Sequence, residues 1–120
     1  MSETSSITSP LLKLLQAWPG VLAWRNNSGT APRRNGRGGR LTYGLGTGSP
    51  DIVGIIAPTG RMFGLECKVS RGGVISKAQA SWASDFEIQG GLWLCIVTVE
   101  QGFDIVKCWQ RGEQQRKRPI

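Results

Sequence analysis

Two carboxylates and an amine are spaced along this chain in a way that suits phosphodiester hydrolysis: Asp51 directly after Pro50, and Glu66 and Lys68 two residues apart in Glu66-Cys67-Lys68. Aspartate and glutamate oxygens bind hard divalent cations such as Mg2+ (or Mn2+), whose Lewis acidity polarises a phosphate and makes water more acidic. In this assignment Asp51 and Glu66 are the metal ligands, the backbone carbonyl of Cys67 is a third, and Lys68 sets a positive charge beside the phosphorus centre. The chain has no histidine, which removes Ser–His and Cys–His nucleophile pairs and histidine-containing zinc sites. A Glu-x-Lys pair on a strand also makes an ordinary cross-strand ion pair, so the elements around these residues decide what they can do.

Those elements can be read from periodicity and turn residues. Ser9-Pro10 opens an amphipathic helix through Trp18, with Leu11, Leu12, Leu14 and Leu15 on its apolar face, and Pro19-Gly20 ends it. Val21 to Trp24 is a first strand ending at Arg25. Asp51–Ala57 and Arg61–Val69 are β-rich runs joined by Pro58-Thr59-Gly60, the signature of an antiparallel hairpin. Alternation along the second run puts Glu66 and Lys68 on one face and Leu65, Cys67 and Val69 on the other, and pairing brings Asp51 beside Glu66. Ser76 caps a helix running to Gln89, with Gln79, Trp82 and Phe86 at helical spacing and Gly90-Gly91 as its stop. Leu92 to Val97 is a buried strand, and Thr98 caps a last helix through Trp109. The order is αβββαβ and then a closing helix: an α/β domain whose central mixed sheet has about four strands flanked by helices. At 120 residues the chain makes one domain, with residues 1–8 and 112–120 expected as flexible ends.

Net charge is +7, and it is clustered, which points to a polyanionic partner. Asn26 to Gly48 is a long Gly-, Asn- and Arg-rich segment with one short strand piece at Leu41-Thr42-Tyr43; loops of that length are usually functional or disordered. It lacks the G-K-[ST] ending of a nucleotide-binding loop. Arg25, Arg33, Arg34, Arg37 and Arg40, with Lys77, are candidate phosphate contacts, which predicts recognition of DNA structure rather than base sequence. Trp18 and Trp24 could stack on bases, but core packing is the expected role of both. Cys67, Cys95 and Cys108 sit among apolar neighbours and read as buried thiols. No apolar stretch approaches the roughly 20 residues of a membrane helix, and the N-terminus lacks the pattern of a signal peptide. The expected location is cytoplasmic.

The strings GSPDIVGI, GLECKVSRGG and ISKAQASWASDFEIQGG, preceded by VLAWRNNSG and GRLTYGLGTG, resemble the PD-(D/E)xK nuclease superfamily, and within it the small stand-alone VRR-NUC domains of phages and bacteria. The resemblance spans roughly Val21 to Val99. It implies a restriction-endonuclease-like core, with Asp51, Glu66 and Lys68 catalytic and Gln79 the helix glutamine that reaches the active site. It also implies Mg2+ or Mn2+ dependence, DNA cleavage, and action on branched DNA (Holliday junction or flap) by a homo-oligomer, expected to be a dimer. One family feature is missing: the first-helix glutamate has no counterpart between Ser9 and Trp18, and Glu3 would serve only if that helix begins earlier. From a different class, a non-catalytic nucleic-acid-binding module on the same fold would keep the basic surface and do no chemistry. A ribosomal or packaging protein would account for the charge alone.

Overall fold

The computed structural model describes residues 4–33, 38–69 and 73–116. Its elements are α1 (Ser9–Ala17), β1 (Val21–Arg25), β2 (Gly29–Pro32), β3 (Arg40–Tyr43), β4 (Ile52–Ile56), β5 (Arg61–Cys67), α2 (Lys77–Ile88), β6 (Leu92–Ile96) and α3 (Val99–Gln114). Four strands form the main sheet in the order β1-β4-β5-β6, and β2 and β3 pair separately as a small antiparallel arm. β1 and β5 each run antiparallel to β4, while β5 and β6 run parallel, with α2 making the crossover that parallel strands require. The sheet is mixed and flanked by helices, an α/β architecture compatible with a restriction-endonuclease-like core.

Hydrophobic patterning assigns the two faces of the sheet. Ala23, Ile52, Ile56, Phe63, Leu65, Cys67 and Ile96 point to one side, where they close a core with Leu11 and Leu15 of α1 and Val106 of α3. On the opposite face α2 lies along β6, with Ala80, Ala83 and Trp93 lining a cleft. Gly102 ends the first turn of α3, and inside a helix glycine costs up to about 1 kcal/mol. A Cβ there would run into the side chains of Leu11 and Ile96, so its absence lets α3 settle onto α1 and the sheet.

Both chain ends hold more structure than the sequence predicts. A π-helical turn, Thr4–Thr8, leads directly into α1, and Ile7 and Thr8 are buried, so residues 4–8 are not a loose end. Helical backbone therefore extends ahead of α1 as far as Thr4; Glu3 lies outside the described residues. α3 continues past Trp109 to Gln114 because Glu113 has partners far away in sequence. Its buried carboxylate accepts hydrogen bonds from the Thr59 hydroxyl and from Arg61 Nη1 (3.2 Å), and Arg116 lies 3.4 Å away. Arg61 also donates to the Gly90 carbonyl at 2.8 Å, which ties the β4–β5 turn to the ends of α2 and α3.

Burial alone would push the Glu113 carboxyl up, but the hydrogen bonds from Thr59 and Arg61 and the charges of Arg116 and Arg61 outweigh it, and the group sits below the ordinary carboxylate range. A lowered native pKa contributes stability that is present above the unfolded value and lost as pH falls through the native one. Glu113→Gln is therefore expected to melt below wild type at neutral pH, with the gap closing below about pH 4. Thermal melts across that range check this, and a gap that does not change with pH refutes it.

Candidate active site

The β4–β5 ladder pairs Ile52 with Leu65. Carried one residue further, the same register sets Asp51 across from Glu66, and directly opposed residues of an antiparallel pair share a face. Asp51 Oδ2 accepts the Cys67 backbone N–H at 2.8 Å, so the aspartate is held against the very strand that carries the other carboxylate. Glu66 is only 4% exposed, which is rare for a carboxylate and demands compensating partners. Gln79 Nε2 donates to Glu66 Oε1 at 3.1 Å, and Lys68 Nζ lies 4.0 Å from the same oxygen. Lys68 follows the last residue of β5 and is kept in line by its N–H to the Ile96 carbonyl, 2.9 Å.

Gln79 does two things with one side chain. It is the third residue of α2, and the Ser76 hydroxyl accepts its backbone N–H (3.1 Å) while its own Oε1 accepts the Ser76 N–H (2.9 Å), a reciprocal capping box. With Oε1 engaged in the cap, Nε2 is aimed at Glu66. The Ser76 cap and the contact to Glu66 thus rest on the same amide. Beneath it, a Cβ on Gly48 would collide with the Ala78 carbonyl and crowd the Gln79 N–H, and the Gly48 φ of +88° is one that L side chains rarely adopt. Glycine is what allows the segment leading to Asp51 to lie against the start of α2.

Cys67 faces the core, where burial pushes its thiol up to about 12; a Thr8 hydrogen bond pulls it down, and the Asp51 and Glu66 charges push it further up. It stays protonated and serves the site through its backbone. Cys95, paired with Glu66 across β5–β6, is also shifted upward, by burial and then by the Glu66 charge. The expectation of three buried thiols holds for Cys67 alone: Cys95 is half-buried, and Cys108 is exposed on α3.

The candidate DNA contacts are dispersed. Arg25 turns to the α1 side of the sheet and donates to the Ser9 hydroxyl at 2.7 Å. Arg40, on the arm, donates to the Thr30 hydroxyl (3.0 Å) and carbonyl (3.3 Å) across the β2–β3 pair. Arg33 and Lys77 are exposed, and Arg34 and Arg37 lie outside the described residues. Periodicity shows one strand piece in this region; its partner β2 pairs with it over four residues, and the Tyr43 side chain covers Gly29. Trp24 is 42% exposed, contrary to its expected core role. Trp18, also partly exposed, packs edge-on to Phe103 and donates to Gln110 Oε1 at 2.7 Å.

Sequence reasoning missed Asn26, Ser28 and Ser49, which hold the segment before Asp51. Their short polar side chains within a Gly-rich run were the available signal. Among the described residues no three or more His, Cys, Asp or Glu side chains gather in a way that could hold a metal, so protein side chains offer a cation two carboxylates here. No described helix is long and apolar enough to cross a membrane. A scan against models of protein families and a search of curated proteins each return no match for this chain.

Proposed function

We propose that this chain is a divalent-metal-dependent DNA endonuclease, selective for branched DNA of the Holliday-junction or flap type, of the kind the VRR-NUC resemblance implies. The observation that carries the reading is that Gln79 of α2 and Lys68 both reach the buried Glu66 carboxylate, while Asp51, just before β4, is tied to Cys67, the next residue of the Glu66 strand. A surface ion pair needs no helix glutamine aimed into it.

The donor set fits a hard cation. Asp51 and Glu66 offer oxygens only, the Cys67 thiol is protonated and turned to the core, and two carboxylates with one ammonium leave the cluster one negative charge to balance. Mg2+ is commonly held by one or two carboxylates with water and substrate phosphate completing its shell. Asp51, Glu66 and the Cys67 carbonyl would hold it, and when bound it supplies Lewis acidity to the scissile phosphate.

The chain's own residues do the rest. The Cys67 N–H fixes Asp51, the Gln79 amide fixes Glu66, and Lys68 offers its charge where negative charge develops on the phosphate. The arm, with Arg33 and Arg40, gives a surface for the phosphate backbone. Symmetric cutting of a branch needs two centres, so the active form is a homodimer with one site in each copy.

Incubating wild-type protein with end-labelled four-way junction, flap and linear duplex, in Mg2+, Mn2+ or EDTA, tests the reading. Products are expected from the branched substrates with metal and from none in EDTA. Salt-sensitive binding with no product under any metal would instead identify a binding module without chemistry.

A further inference from the structure

The segment from Gly44 to Pro50, which connects the arm to β4, is clamped from two sides. On one side lies α2: Trp82 Nε1 donates to the Leu45 carbonyl at 3.2 Å, and Gly48 abuts the Ala78 carbonyl. On the other lies Asn26, the residue after β1, with its N–H and both polar atoms of its side chain in use. Its N–H donates to the Asp51 carbonyl (2.9 Å), and its Nδ2 donates to the Pro50 carbonyl and the Ser49 hydroxyl (2.8 Å each). Its Oδ1 accepts the Ser28 hydroxyl at 2.8 Å.

Ser28 is the second joint. Its oxygen accepts the Leu45 N–H at 2.9 Å and lies 2.8 Å from Ser49 Oγ. The Ser49 hydroxyl has one hydrogen, which serves either Ser28 or the Gly46 carbonyl at 2.6 Å. Ser28 directly precedes β2 and Leu45 follows shortly after β3, so both roots of the arm end in this network.

We propose that Asn26 is a positioning residue for Asp51, and that through Ser28 it makes the arginine-bearing arm and the catalytic carboxylate one mechanical unit. Gly44, Gly46 and Gly48 all hold positive φ, and glycine backbones have the most freedom to lose. The polar ties around Asn26 are what freeze that segment in one shape. Aspartate at this position has the same size but no N–H to give Pro50 and Ser49, and glutamine is one methylene too long.

The functional half of this inference rests on the endonuclease reading; the structural half does not. The test uses wild type, Asn26→Asp, Asn26→Ala, Ser28→Ala and, as control, Lys68→Ala. Groups that orient a ligating carboxylate are commonly worth about 10- to 100-fold in metal affinity or activity. For both Asn26 variants kcat is expected to fall and half-saturating Mg2+ to rise by about that factor, with KM for DNA within about twofold of wild type. Ser28→Ala is expected to shift Mg2+ dependence in the same direction and less.

An independent readout is hydrogen exchange at the Cys67 amide, whose acceptor is Asp51. Exchange is expected to quicken about tenfold or more in the Asn26 variants and to stay at the wild-type rate in Lys68→Ala. Asn26→Asp, which keeps the side-chain volume, decides the matter if Asn26→Ala does not fold. An unchanged Cys67 amide overturns the proposal, as does a kcat within about twofold of wild type in Asn26→Asp. If the wild-type protein cleaves no DNA, the endonuclease reading falls and the amide measurement alone decides whether Asn26 positions Asp51.

Discussion

Asp51→Asn is expected to reduce cleavage of branched DNA by about 10³-fold or more, which is about 4 kcal/mol of transition-state stabilisation, while leaving the protein folded. The amide oxygen of asparagine can still accept the Cys67 N–H, now made to Asp51 Oδ2 at 2.8 Å, so the hydrogen bond that seats the residue survives. The lost charge is half of the carboxylate pair that a hard cation would need. Because Asp51 faces a buried Glu66, removing one of two like charges relieves repulsion, and the melting temperature is expected to stay level or rise. Binding to a four-way junction in EDTA should be as tight as wild type, since the arm is untouched. Lys68→Ala should lose activity on a similar scale. Cleavage by either variant at the wild-type rate would falsify the assignment of these residues, whatever the fate of the fold.

The largest expected effect on stability comes from Phe63→Ala. Phe63 lies in β5 between β4 and β6, is wholly buried, and its ring sits 6.1 Å from that of Trp109. Its cross-strand partner is Gly54, and a Cβ there would overlap the Phe63 ring. The ring therefore fills space above a residue with no side chain of its own, and after truncation nothing on β4 can swing in to refill it. Phenylalanine-to-alanine changes in cores cost about 3–5 kcal/mol, a large part of the 5–15 kcal/mol that holds a typical domain together. Urea unfolding should show a midpoint displaced by that amount with little change in slope. Phe63→Leu should cost much less, under about 1.5 kcal/mol. If the two variants cost the same, the ring's fit over Gly54 is not what matters.

Much of this site is legible in the sequence because it is made of local rules. Strand alternation sends Glu66 to the face opposite Cys67, the Pro58-Thr59-Gly60 turn fixes which residues of β4 and β5 meet, and a serine three residues before Gln79 marks the start of α2. What escapes is set by partners distant in the chain. The depth at which Glu66 is buried depends on α2 packing along β6 and reaching across with Gln79. The length of α3 depends on Arg61 and Thr59 reaching Glu113. Strand β2 hides in a run of Asn, Gly, Thr and Pro that has turn composition, and it pairs with β3 across only four residues. Arg25 reads as a free cation until Ser9 is found beside it. The α2 capping serine was foreseen, but only the folded chain reveals that the amide closing the helix also holds the carboxylate.

That double use of Gln79 has a consequence for how heat acts on this protein. A helix loosens first at its ends, and the opening turn of α2 is held by a reciprocal pair of hydrogen bonds whose breakage would also release Glu66. Fraying of a single turn, which leaves the sheet and the core intact, is then enough to disarm the site. In the endonuclease reading, cleavage is therefore expected to fail on heating at a lower temperature than the one at which the domain itself melts.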